Sequence, residues 1–178
     1  TFSFNSPHGA CPECTGLGRK LRVDADLVIP NKLLSLSQGA IQPWARAAAV
    51  STWYGKMLEA VAERYKISMT KPVRDLKPDQ LEKLLYGSGE KIRLRFTNSQ
   101  GRSHYYDSTY EGVVRNLERR FRESDSDHVK AEIERYMASV PCEVCAGQRL
   151  KPEALAVKID GRSITEVTRQ SITDADLW

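Results

Sequence analysis

No stretch of the 178-residue chain approaches the roughly 20 consecutive apolar residues that a membrane-spanning helix needs, and no basic-then-apolar leader follows Thr1. Histidine is scarce: His8, His104 and His128 are scattered and read as surface residues, so spacing supports no histidine-based catalytic or metal cluster. The phosphate-binding pattern Gly-x-x-x-x-Gly-Lys-Ser/Thr is missing, because Gly55-Lys56 has Val50 where the upstream glycine belongs. Residues 34–39, Leu-Ser-Leu-Ser-Gln-Gly, lack the paired glycines of the ATPase signature Leu-Ser-Gly-Gly-Gln and read as a turn. Neither a Ser/His/Asp constellation nor a catalytic carboxylate pair can be argued from spacing. The remaining picture is a soluble, cytoplasmic, non-enzymatic piece of a longer protein, since the chain opens on Thr1 rather than Met.

Cysteine is also sparse, but the four present are patterned. They form Cys11-Pro12-Glu13-Cys14 and Cys142-Glu143-Val144-Cys145, each followed by glycine, at Gly16 and Gly18 in the first case and Gly147 in the second. Two C-x-x-C pairs are the ligand set of a tetrahedral four-thiolate zinc site. Each pair supplies two sulfurs from one tight turn, and the glycines let backbone N–H groups curl toward them. Two disulfides, or one redox-active pair, are the competing reading of the same residues; the absence of a leader favours a reducing compartment and therefore zinc. Four thiolates leave no position for water, so the single Zn2+ would be structural. His8, three residues before Cys11, finds no vacancy in that shell.

The spacing is unusual. Residues 15–141 separate the two knuckles, where an ordinary zinc ribbon allows roughly 12 to 20. The fold expected is therefore α+β: a small four-cysteine zinc module, residues 1–21 and 139–178, interrupted by a mixed helical domain, residues 22–138, with a short antiparallel β-hairpin. Inside the insert, Met57, Leu58, Val61 and Tyr65 give residues 51–66 an amphipathic helical period. Pro78-Asp79 starts and Gly87 stops a short helix over 78–86 carrying Leu81, Leu84 and Leu85. Residues 91–96 alternate strictly, so a strand would bury Ile92, Leu94 and Phe96 and project Lys91, Arg93 and Arg95. Asn98–Gly101 supplies a turn and 102–106 a returning strand. A helix over 111–122 places Val113, Leu117 and Phe121 on one side and Arg115, Arg119 and Arg122 beside them. Ser126 caps a last helix carrying Val129, Ile133 and Met137.

The chain as a whole carries 27 Lys+Arg against 23 Asp+Glu, a net +4. Residues 91–122 concentrate the excess: Lys91, Arg93, Arg95, Arg102, Arg115, Arg119, Arg120 and Arg122 against Asp107, Glu111 and Glu118, interleaved with Phe96, Tyr105, Tyr106, Tyr110 and Phe121. Arginine's planar fork pairs with phosphate oxygens and stacks on flat rings, which suits a nucleic-acid surface. A solvated face with internal ion pairs, a module docking on an acidic protein or an opposite protomer, and a plain spacer are the competing readings.

The first knuckle, Phe2-Ser-Phe-Asn-Ser-Pro-His-Gly-Ala-Cys-Pro-Glu-Cys-Thr-Gly-Leu-Gly18, resembles that of the UvrA family of bacterial nucleotide excision repair. The resemblance continues in order through Asp26–Pro30, Leu85–Gly89, Tyr110–Val114, Glu118–Arg120 and Cys142–Lys151, across essentially the whole chain. DnaJ-type chaperones also use Cys-x-x-Cys-x-Gly-x-Gly, but repeat it four times. The resemblance implies the zinc module of the first signature domain of an ABC-type ATPase, interrupted by the family's insertion domain, with Cys11, Cys14, Cys142 and Cys145 as zinc ligands. It further implies a parent homodimer that binds double-stranded DNA, damaged and undamaged, ATP hydrolysis elsewhere in the parent, and contact with UvrB through another domain.

Overall fold

The computed structural model describes residues 1–45, 52–97 and 102–178. The chain divides into two compact units, Thr1–Arg22 with Ser139–Trp178, and Val23–Ala138. Among the described residues no helix is long and apolar enough to cross a membrane. The architecture is α+β as expected, with helices and, among the described residues, three two-stranded sheets. Strand β1 (Arg19–Val23) pairs with a strand near the other end of the chain, β4 (Met137–Pro141).

In the Val23–Ala138 unit, α1 (Ala25–Val28) is capped by Asp24, whose carboxylate accepts the Asp26 N–H at 2.8 Å. The stretch read as a turn closes around Ser35 and Gly39: the Ser35 hydroxyl accepts from Gln38 N–H, and Gly39 takes φ 82. Helix α2 (Thr52–Tyr65) buries Met57, Leu58, Val61 and Ala62. Ser51, placed in that helix by its period, and the expected turn over 98–101 lie outside the described residues. Helix α3 (Pro78–Tyr86) occupies the expected range, with Pro78 at a position where no N–H is needed and Leu84 and Leu85 buried.

Strands β2 (Lys91–Thr97) and β3 (Ser103–Thr109) pair antiparallel, with Arg93 opposite Asp107, Leu94 opposite Tyr106 and Arg95 opposite Tyr105. The period-2 alternation holds in Ile92 and Leu94, which are buried, and in Lys91, Arg93 and Arg95, which are exposed; Phe96, expected to be buried, is only half-buried. The returning strand runs three residues beyond the expected Tyr106. Helix α4 (Val113–Glu123) begins two residues later than its apolar period suggests, because Gly112 sits at φ 86, outside helical space. That leaves Glu111 free to turn its carboxylate back onto the helix. Ser126 does cap α5 (Asp127–Glu134). Met137, expected on this helix, instead opens β4; the helix stops at Glu134 and the chain extends to pair with β1.

The core of this unit gathers Val28, Ile29, Trp44, Val61, Leu84, Leu94, Tyr110, Val113 and Leu117. Tyr110 is 2% exposed, and its hydroxyl donates to the Leu84 carbonyl at 2.6 Å. The other unit adds three short helices, α6 (Pro152–Leu155), α7 (Ile164–Thr168) and α8 (Ile172–Asp176), and a small hairpin of β5 (Lys158–Ile159) and β6 (Arg162–Ser163).

Candidate metal centre and nucleic-acid interface

The two C-x-x-C turns fold as near-copies. In each, the residue after the second cysteine is left-handed (Thr15 φ 49, Ala146 φ 47), the next is a left-handed glycine (Gly16 φ 80, Gly147 φ 82), and the residue four past that cysteine is left-handed again (Gly18 φ 76, Arg149 φ 69). This winding points a backbone N–H at sulfur twice over: Gly18 N–H at Cys14 Sγ, 3.1 Å, and Arg149 N–H at Cys145 Sγ, 3.3 Å. The turns also exchange bonds. Cys11 N–H donates to the Arg149 carbonyl and Cys142 N–H to the Gly18 carbonyl, both at 2.9 Å.

All four cysteines are buried and unbridged, with sulfurs within 4.8 Å of one another. Cys14 and Cys145 sulfurs are 3.7 Å apart, far beyond a disulfide bond of about 2.05 Å. A tetrahedron of Zn–S bonds of about 2.3 Å has an edge of about 3.8 Å, so the cluster has the size of a metal-binding thiolate shell. His8 lies outside it and is exposed. Burial pushes thiols up; at Cys14 the Gly18 N–H and the neighbouring thiols outweigh burial and bring the pKa down to about 7, whereas burial leaves Cys145 pushed up to about 11. Four such groups cannot all ionise together without a cation between them, and a soft dication fits the donor set.

The basic residues of 91–122 divide by their partners. Arg93 forks onto Asp107 across the hairpin, Nε at 2.9 Å and an NH2 group at 3.3 Å, which holds the Asp107 carboxyl below its usual range and raises Arg93. Arg119 is held from two sides, by Glu111 at 2.8 and 3.0 Å and by Glu123 at 3.0 Å. The Arg119 fork, joined by the Asn116 amide, keeps the Glu111 carboxyl below its usual range against the opposing effect of burial. Arg95 Nε donates to the Ser103 hydroxyl at 3.1 Å. Arg102 is exposed and engaged with its surroundings. Lys91, Arg115 and Arg122 project into solvent and Arg120 is half-buried. Asp107 and Glu111 are counted among the acids of this stretch and Glu123 is not; which arginine each reaches cannot be read from the sequence, because cross-strand register and the late start of α4 decide it.

A family model for the UvrA DNA-binding domain matches residues 24–135. The chain belongs to the UvrA DNA-binding domain family. UvrABC system protein A of Bacillus subtilis is 51% identical over 175 residues, 98% of this chain and 18% of that protein. The protein of the same name from Methanothermobacter thermautotrophicus is 45% identical over 174 residues, again 98% of this chain and 18% of the relative. The crystal structure of UvrA2 from Deinococcus radiodurans matches with a TM-score of 0.69 at 28% identity, covering 99% of this chain and 22% of that one. The chain thus spans about a fifth of the length of the UvrA proteins it matches.

Among the residues that sequence reasoning passed over, Arg149 stands out. It is the second knuckle's counterpart of Gly18, yet its side chain reaches the first knuckle: Nε donates to the Gly16 carbonyl at 2.7 Å, and the guanidinium lies 3.6 Å from the centre of the Phe4 ring. The duplicated knuckle pattern in the sequence is the signal that could have singled it out.

Proposed function

We propose that this chain is a duplex-DNA-contacting region of a nucleotide excision repair ATPase, in which residues 22–138 form an inserted domain carried on a zinc module built from residues 1–21 and 139–178. The observation that carries the reading is that the stretch matched by the DNA-binding family model holds exposed cations on both its hairpin and α4. Cys11, Cys14, Cys142 and Cys145 would hold one Zn2+. With four thiolates in its shell the ion supplies cross-linking rather than a water for hydrolysis.

Phosphate contact falls to Lys91, Arg95, Arg115, Arg120 and Arg122. Arg93 and Arg119 are committed to carboxylates, so freeing them for phosphate would first break an existing pair. Arg102 belongs to the same surface. ATP hydrolysis, homodimerisation and contact with UvrB belong to the larger parent, acting in the cytoplasm, with the UvrB contact made by another of its domains. Nucleotide-driven movement of that ATPase would reach the inserted domain through its two connecting segments. Fluorescence anisotropy of the zinc-loaded chain with a labelled duplex tests the reading: binding that weakens linearly in log–log with salt supports it, and no binding at low salt removes it.

A further inference from the structure

A cavity of about 190 Å³ within the Val23–Ala138 unit is lined by the rings of Trp44, Trp53 and Tyr54 and by the polar residues Glu111, Asn116 and Arg119, among others. Two of its lining residues carry buried polar atoms with no hydrogen-bond partner among the described residues, Trp44 Nε1 and Asn116 Oδ1. Native interiors seldom leave such groups unpaired, and these are a donor and an acceptor on two residues that line one cavity. The Asn116 assignment is fixed by chemistry: its Nδ2 donates to Glu111 Oε1 at 2.8 Å, a carboxylate can only accept, and Oδ1 is therefore the end left over. Trp44 is 2% and Asn116 9% exposed.

The surroundings are aromatic. Trp44 stacks on Tyr54 at 4.8 Å, and Trp53 stacks on Phe96 at 5.8 Å and meets Tyr106 edge-on at 5.5 Å. Trp53 and Tyr106 are exposed large rings, at 37% and 56%. A cavity of about 150 Å³ accepts benzene, so this one is of the size for a single flat ring. A ring that also needs one donor and one acceptor, in a domain of a DNA-binding family, has the chemistry of a pyrimidine base.

We propose that this cavity receives a single-ring nucleobase turned out of a DNA duplex, stacked by Trp53 and hydrogen-bonded by Trp44 Nε1 and Asn116 Oδ1. Both polar atoms are closed to water in the free protein, so entry requires the lining side chains to shift; Trp53, the most exposed ring of the lining, is the one with room to move. Arg119, through its bonds to Glu111, positions Asn116. The inference rests on the DNA-binding reading above and deepens it by giving the domain a way to sense an unstacked base.

The test compares, at one salt concentration, the affinity of the zinc-loaded chain for an intact duplex, a duplex with a single thymine bulge, one with a single adenine bulge, and one whose bulged position is abasic. The thymine bulge should bind about fivefold or more tighter than the abasic bulge, as expected for one base–aromatic stack offset by the cost of opening the site, with adenine below thymine. Trp44→Phe removes the unpartnered donor together with the five-membered half of a buried indole, so it should abolish the thymine preference at some cost in melting temperature. Trp53→Ala, at a partly exposed position, should abolish the same preference with a smaller cost in melting temperature. Equal affinity for thymine and abasic bulges would overturn the proposal in favour of simple bendability while leaving DNA binding intact, and adenine bound as tightly as thymine would overturn the single-ring assignment. Failure to bind any duplex would remove the DNA-binding reading and the proposal with it.

Discussion

Cys142 donates its backbone N–H to the carbonyl of Gly18 at 2.9 Å, while Gly18 donates its own N–H to the sulfur of Cys14 at 3.1 Å. One residue of the first knuckle thus orients a sulfur in its own turn and anchors the first cysteine of the other. The clustering of the four sulfurs and the backbone pairing reinforce each other between segments far apart in the sequence.

Replacing Gly18 should therefore cost more than loss of a turn glycine. A Cβ there would lie 2.8 Å from Arg149 Cγ and 2.9 Å from the Gly147 carbonyl oxygen, at φ +76. Gly18→Ala is expected to destabilise the metal-binding unit by about 1–3 kcal/mol, seen as faster zinc loss to a chelator. An unchanged release rate would show that the knuckle relaxes around the methyl.

Removing one ligand separates the two units. Cys142→Ser should release the metal, whose apparent binding is worth ~10–16 kcal/mol in structural sites, and unfold the Thr1–Arg22 with Ser139–Trp178 unit. The Val23–Ala138 unit has its own core, so most of the helical circular dichroism should persist. Loss of the whole helical signal would contradict independent folding.

Alkaline pH should destabilise the protein through Tyr110. Burial raises its phenol well above the ordinary value near 10, so the folded state keeps a proton that the unfolded chain gives up. Stability is full below about pH 10 and falls as pH rises past it. Tyr110→Phe loses the hydrogen bond to Leu84 and leaves that buried carbonyl unpaired, costing about 1–2 kcal/mol near neutrality, but it should flatten the alkaline decline, measured by urea unfolding at a series of pH values.

The acid side is governed in part by Glu111. Its folded pKa is depressed by the Arg119 fork, so the stability it contributes is present above about pH 4.3 and lost as pH falls below that. Glu111→Gln should remove about 0.5–1 kcal/mol at pH 7, the pair being partly solvent-screened, with less effect at pH 3. An equal loss at both pH values would mean that packing, not charge, is what Glu111 supplies.

Much of this was legible in the residues. The range of α3 follows from Pro78 and Gly87, and the faces of the hairpin from the alternation Lys91 to Phe96, because helix punctuation and strand period are local properties. The cysteine spacing likewise announced its cluster, since few other chemistries use two C-x-x-C pairs. Illegible were the features set by tertiary partners. Met137 fits the apolar period of α5 yet joins β4, because pairing with β1 outweighs a helical preference of a few tenths of a kcal/mol. Arg93 and Arg119 look equivalent to Arg95 and Arg122 in the sequence; only strand register and the position of Glu111 show them to be spoken for. The orphaned atoms of Trp44 and Asn116 have no sequence signature at all.

The most direct test of the account is the salt dependence of duplex binding by the zinc-loaded chain, measured alongside Arg115→Ala with Arg122→Ala and, separately, Arg119→Ala. Log K should fall linearly with log salt, the double variant should reduce the slope by about 0.9 per lost phosphate contact, and Arg119→Ala should leave the slope unchanged. A slope insensitive to Arg115 and Arg122 but reduced by Arg119→Ala would contradict the assignment of the phosphate-facing residues, and binding without salt dependence would contradict a phosphate interface altogether.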